Sequence, residues 1–282
     1  MRPRCPLGLL VLILAAASPA FADVRLEMEG RALGAQLTRE VAVHGTWRRI
    51  TTRGKLSGVL RDVHAREHVI EIARGDRKVV WDIDPVSRTY REVSCEQLKE
   101  RLAAAAHARG PLRQRYRAGN PQVEVGSAAG KRQIAGLDCE RVQARLAVPI
   151  TVTESGEQAT VRFTFDLWVT HDPRVLEPLA AFETAYTQAV GANVTLAEVE
   201  ALAGQWSDVF VTHVPGVLAQ VRARGYPMRT ELQVTWENVP TRASEKPRST
   251  TIGELVTEVR RVSFDALPDA EFDLPQGYAR KP

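Results

Sequence analysis

The sequence predicts an α+β fold, an antiparallel β-sheet with helices set between its strands. Three observations carry this. Residues 23–93 alternate apolar and polar side chains with a period of two, broken by turn signals. Residues 140–170 do the same. Stretches with helical spacing follow Ser94 and Asp172, each opened by an N-terminal capping signal. The chain has 282 residues, 44% hydrophobic and 26% charged, enough apolar material for a real core and no bias towards disorder.

The N-terminus reads as a targeting segment. Arg2 and Arg4 precede an unbroken apolar run from Leu9 to Ala17, and Ala20-Phe21-Ala22 has the small-x-small pattern read by signal peptidase. Residues 1–22 are therefore expected to be a signal peptide cleaved after Ala22. Residues 23–282 would form one domain, periplasmic or secreted. The apolar run is too short to span a membrane, and no later segment qualifies. Cys5 precedes the apolar run, so it is not a lipid-attachment cysteine at the cut. The net charge of +4 falls close to neutral without Arg2 and Arg4. A nucleic-acid partner is not expected, because phosphate neutralisation needs a concentrated excess of Lys and Arg. The Arg-rich segments alternate with acids and read as solvated strand faces.

Cys95 and Cys139 remain outside the leader. In an exported chain they could form one disulfide, whose loop would contribute roughly 4 kcal/mol in the chain-entropy model. Two buried free thiols are the alternative.

Taken in order, Val24, Leu26 and Met28 alternate with Arg25, Glu27 and Glu29, and a second strand runs through Trp47. Runs at 68–73 and 78–84 flank Gly75-Asp76, a hairpin signal. The Arg74-Gly75-Asp76 triplet is better explained as that hairpin's tip than as an adhesion motif. Asp84-Pro85 turns the chain into a strand over 88–93, completing a meander. Ser94 and Gln97 have capping-box spacing and open a helix carrying Leu98 and Leu102, stopped by Gly110-Pro111. Residues 112–130 read as an exposed connection with a short strand at Val123–Val125.

A long hairpin follows. Val142, Ala144, Leu146 and Val148 share one face, and Val161, Phe163, Phe165, Leu167 and Val169 share another. A helical insert is expected at about 173–225. It starts at Asp172-Pro173 and carries Leu176, Leu179, Phe182, Tyr186 and Val190, with Pro178 weakening its first turns. Thr195 and Glu198 form a second capping box, and Gly225 caps a helix over 209–224. Strands at 229–236 and 252–264 enclose a polar loop. The tail from Leu267 to Tyr278 has no period and is expected across a sheet edge.

The sharpest enzymatic pattern is His64-Ala-Arg-Glu67-His68, which matches the H-x-x-E-H arrangement of inverted zinc peptidases. On a helix the two histidines would share a face and bind one metal, and Glu67 would activate water. The motif runs straight into a strand, however, where positions 64 and 68 lie about 13 Å apart. A zinc hydrolase through His64, Glu67 and His68 is thus a subordinate reading, and no metal or cofactor is expected. Gly126-Ser-Ala-Ala-Gly-Lys131 is one residue short of a phosphate loop and lacks its Ser/Thr. His171-Asp172 reads as capping chemistry, and the Asn193 sequon as part of a helix cap. No nucleophile elbow occurs. Trp47, Trp81, Trp168, Trp206 and Trp236 are spread over several elements, as core residues or as the lining of an apolar cavity.

Together, Val80-Trp-Asp-Ile-Asp-Pro-Val-Ser-Arg-Thr-Tyr90, Ile134-Ala-Gly-Leu-Asp-Cys139, Phe165-Asp-Leu-Trp-Val-Thr170, Gly225-Tyr-Pro-Met-Arg229 and Phe272-Asp-Leu-Pro-Gln-Gly-Tyr278 resemble uncharacterised bacterial periplasmic proteins related to the lipoprotein carriers (LolA/LolB-like). The resemblance spans most of the mature chain through turn and strand signatures. It implies a curved antiparallel sheet, an open half-barrel, with helices packed on or lidding the concave face. It also implies an apolar ligand, lipid or lipoprotein acyl chains, in that concavity. Trp81, Phe163, Phe165, Leu167 and Trp236 are the expected lining. A periplasmic protein-interaction or sensing module, holding an envelope protein on the rim, is the alternative.

Overall fold

Regular alternation of β-branched and charged residues makes most of this chain strand. The computed structural model describes residues 23–32, 35–55, 67–107, 115–191, 216–217, 219–239 and 248–281. The leader, His64, the Gly110-Pro111 stop and the Thr195 capping box lie outside the described residues. The strands are β1 (Val24–Ala32), β2 (Ala35–His44), β3 (Trp47–Lys55), β4 (His68–Arg74), β5 (Val79–Asp84), β6 (Thr89–Ser94), β7 (Tyr116–Ala118), β8 (Gln122–Ile134), β9 (Leu137–Val152), β10 (Gln158–Thr170), β11 (Tyr226–Asn238), β12 (Ser249–Ser263) and β13 (Ala279–Arg280). Helix α1 is Cys95–His107 and helix α2 is Pro173–Val190.

The strands form one curved, unclosed sheet in the order β13-β6-β5-β4-β3-β2-β1-β12-β11-β10-β9-β7, with β8 also paired to β9. This is the α+β open half-barrel. The meander β1–β6 and the hairpin β9–β10 are both present, and the late strand β12 joins them by pairing with β1 and with β11. All pairs are antiparallel except β13, which runs parallel to β6. The aperiodic tail thus reaches a sheet edge, as its sequence suggests. No helix among the described residues is long and apolar enough to cross a membrane.

One strand exceeds its sequence signal. The connection expected around Val123–Val125 is a 13-residue strand, β8. Ala135 and Gly136, with φ of 50° and 80°, form the tight turn that folds it onto β9. A bulge at Ala128–Lys131 and a run of small residues disguise its alternation.

The capping signals act locally as expected. At α1 the Gln97 N–H donates to Ser94 Oγ and the Ser94 N–H to Gln97 Oε1, both at 3.1 Å. At α2 the Asp172 carboxylate accepts the Arg174 N–H at 2.9 Å, and Pro173 follows the cap.

The two helices define an inner face of the sheet. Val175, Phe182, Tyr186 and Val190 of α2 pack with Val24, Leu26, Val41, Val43, Ile50, Met228 and Val259. The outer face of β2–β5 is apolar too. Ala42, Ile70, Ile72, Trp81 and Ile83 are covered by Leu267 and Phe272 of the tail. Asp23 fastens that tail, accepting the Leu267 N–H at 2.6 Å and bonding His44 Nδ1 at 2.7 Å. Arg74 lies 3.9 Å over the Trp47 ring and donates to Asp273 at 2.9 Å.

Cys95 and Cys139 are free, buried thiols in this structure, and both belong to the core cluster packed against α2. Cys95 follows β6 directly and Cys139 lies on β9. Burial pushes both thiols above their ordinary value.

Candidate ligand cavity

The inner face of β9–β11 is built by strict alternation. Phe163, Phe165 and Leu167 of β10 stand opposite Leu146, Ala144 and Val142 of β9. On the other side they stand opposite Val234, Leu232 and Thr230 of β11. A two-residue period puts all of these on the side facing α2. Leu167 and Val169 are buried against Val217 and Val221, which lie among the short helical residues 216–217 and 219–222.

Between this face and α2 lies a cavity of about 400 Å³. Its walls are Phe165 and Leu167 from the sheet, Leu176 and Leu179 from α2, and Val217 and Val221 from the short helical segment. Leu176 and Leu179 are free to line it because α2 turns Val175, Phe182 and Tyr186 into the main core. The volume falls within the usual range for small-molecule sites.

Glu183, Arg222, Tyr226 and Thr230 add polar groups to the lining. Arg222 and Glu183 pair at 3.3 Å, linking the short helical segment to α2. Burial, reinforced by Glu183, pushes the Tyr226 phenol up, while Arg39 and Arg48 act in the opposite direction. The hydroxyl is therefore protonated and able to donate. Arg39 shares the inner face of β2 with Val41 and Val43. Arg48 stacks 4.8 Å from the centre of Phe182 and bonds Glu71 at 2.7 Å.

The five residues expected to line the concavity divide into three groups. Phe165 and Leu167 are cavity walls. Phe163 and Trp236 share their face but belong to the next apolar cluster, with Leu146, Val148, Ile150 and Val161. There Tyr116 stands edge-on to Trp236, ring centres 5.8 Å apart. Trp81 is elsewhere: it lies on the outer face beneath the tail, 4% exposed, its indole N–H donating to Glu92 at 2.9 Å. Its neighbour Val80 is the one that points inwards.

Leu176, Leu179, Val217 and Val221 were not among the expected residues. Their i,i+3 and i,i+4 spacings are a signal for them, but one shared with any helix face. Arg48, which packs over Phe182, carries no such signal, because an arginine on a strand reads as solvent-facing.

The outer face of this end is ionic. Arg141 pairs with Asp166 across β9 and β10, and Arg162 with Glu237 at 2.9 Å across β10 and β11. Arg229 and Arg260 share Glu258. The hydrogen bond from Arg141 holds Asp166 below the usual carboxylate range. A polar cleft of about 670 Å³ lies at the β8–β9 turn beside His171 and Asp172. There the Asp172 carboxylate caps α2 and bonds Arg174.

Of the zinc-peptidase pattern, Glu67 and His68 are described. His68 opens β4 in extended backbone rather than on a helix. Burial, with Arg53 and Arg49, lowers its basicity, and Arg53 Nε donates to its Nε2 at 3.3 Å. No group of three or more His, Cys, Asp or Glu able to hold a metal occurs among the described residues.

Compared with known proteins, the chain matches no family model and no curated protein.

Proposed function

We propose that this chain is an exported, non-enzymatic protein that holds a hydrophobic ligand, a lipid or lipoprotein acyl chain, in the half-barrel. The observation that carries the reading is the cavity between β10, β11 and α2, with Phe165 half-buried at its wall and Leu167, Leu176 and Leu179 around it. Covering such a surface with an acyl chain removes apolar area from water on both partners, worth about 25 cal/mol per Å² before the cost of association. The reading agrees with the sequence resemblance to lipoprotein carriers and with a signal peptide ending at Ala22.

Native mass spectrometry of protein purified gently from a bacterial envelope tests it. The expected spectrum contains adducts of lipid mass that organic extraction removes. Phe165→Asp should strip those adducts while leaving a folded protein, since the side chain is only half-buried. A wild-type protein that carries no adduct and takes up no added lipid would sink the proposal.

A further inference from the structure

We propose that the ligand is an uncharged amphiphile, an acyl chain ending in an ester or amide carbonyl, and that Tyr226 selects it by donating its hydroxyl hydrogen to that carbonyl. The inference rests on the apolar-ligand reading and adds a head chemistry and a specificity-determining residue to it. Its ground is the set of polar side chains in the cavity wall: Glu183, Arg222, Tyr226 and Thr230. The two charged ones answer each other. Arg222 reaches both carboxylate oxygens of Glu183, Nη2 to Oε1 at 3.3 Å and Nη1 to Oε2 at 3.4 Å, the two-pronged arrangement that a guanidinium and a carboxylate favour. An anionic head group would meet Glu183 along with Arg222, and a cationic one Arg222 along with Glu183. Neither gains a net partner from the wall.

The two hydroxyls are in a different position. Tyr226 and Thr230 both line the cavity from β11, and neither has a hydrogen-bond partner among the described residues. Thr230 stands opposite Leu167, itself a cavity wall. A threonine hydroxyl can turn back to its own backbone, whereas the rigid ring of a tyrosine holds its hydroxyl away from it. Tyr226 is therefore the donor left for a ligand. Burial keeps its phenol protonated, so it carries no charge and calls for no counter-charge. A carbonyl oxygen is the neutral acceptor that matches it. A plain hydrocarbon would fill the apolar wall of Phe165, Leu167, Leu176 and Leu179 but leave this hydroxyl unmatched.

The test is displacement of Nile red, a neutral fluorophore, from the delipidated mature chain by methyl decanoate, N-methyldecanamide, decanoate, decyltrimethylammonium and undecane. The ester and the amide should bind about fivefold tighter than undecane, the scale of one neutral hydrogen bond, and tighter than both charged probes. The tighter of the two assigns the linkage. Tyr226→Phe keeps the ring and removes only the hydroxyl. It should bring the ratio of ester to undecane affinity to about one with undecane binding unchanged, and Thr230→Val should leave that ratio intact. Glu183→Gln releases Arg222 and should tighten decanoate about tenfold, the scale of a partly exposed charge-assisted hydrogen bond. If the ratio survives Tyr226→Phe, if decanoate outbinds its methyl ester, or if decanoate ignores Glu183→Gln, the uncharged-carbonyl assignment falls while the apolar-ligand reading stands. If no probe displaces the fluorophore, both fall.

Discussion

Gly225 shows how tightly one residue can be held. It ends the short helical segment and admits β11 at the cavity edge with φ of +117°, and a Cβ there would stand 2.5 Å from the Thr170 carbonyl oxygen. Both the backbone angle and the space demand glycine. Gly225→Ala should therefore destabilise the protein by about 2 kcal/mol, within the range for a strained backbone position, read as a lower urea midpoint at unchanged slope. The glycine was legible in the sequence as a helix stop; the carbonyl that makes it obligatory was not. Trp81 shows the same limit. Val79, Val80, Trp81 and Ile83 make β5 apolar on both faces, so alternation separates the two faces without saying which one holds the helices. Arg48 is the opposite case, a charged strand residue whose inward position depends on Phe182, a partner far along the chain.

At the scale of elements, local chemistry was the most readable. The Ser94–Gln97 box, the Asp172–Pro173 start and the β9–β10 hairpin all follow from neighbours in sequence. Ser94→Ala should remove one half of the reciprocal cap and cost about 1 kcal/mol. Far-ultraviolet circular dichroism on heating should show an earlier transition, and Ser94→Asp should restore it. Elements assembled from distant partners were less readable. β8 hides behind a bulge and small residues. The β1–β12 pairing, which joins the two halves of the sheet, has no local signature.

The whole molecule is asymmetric from one end of the sheet to the other. Across β2–β5 both faces carry an apolar cluster, the inner one packed with α1 and α2 and the outer one under the tail. Across β9–β11 the outer face is a ladder of ion pairs and the inner face borders a cavity. Stability should therefore concentrate at the first end and ligand response at the second. Phe272, fully buried in the tail and ringed by Trp47 and His44 at 5.9 Å each, anchors the first end. Phe272→Ala should cost about 3–5 kcal/mol, as for other buried phenylalanines, and hydrogen exchange should accelerate first in β2–β5. Phe165→Ala, at a half-buried wall already facing empty space, should cost clearly less. A bound amphiphile should slow exchange in β10, β11 and α2 and leave β4 and β5 unchanged. Protection that instead rises evenly over the sheet would place the ligand outside this cavity, because only contacts confined to one end can stabilise that end alone.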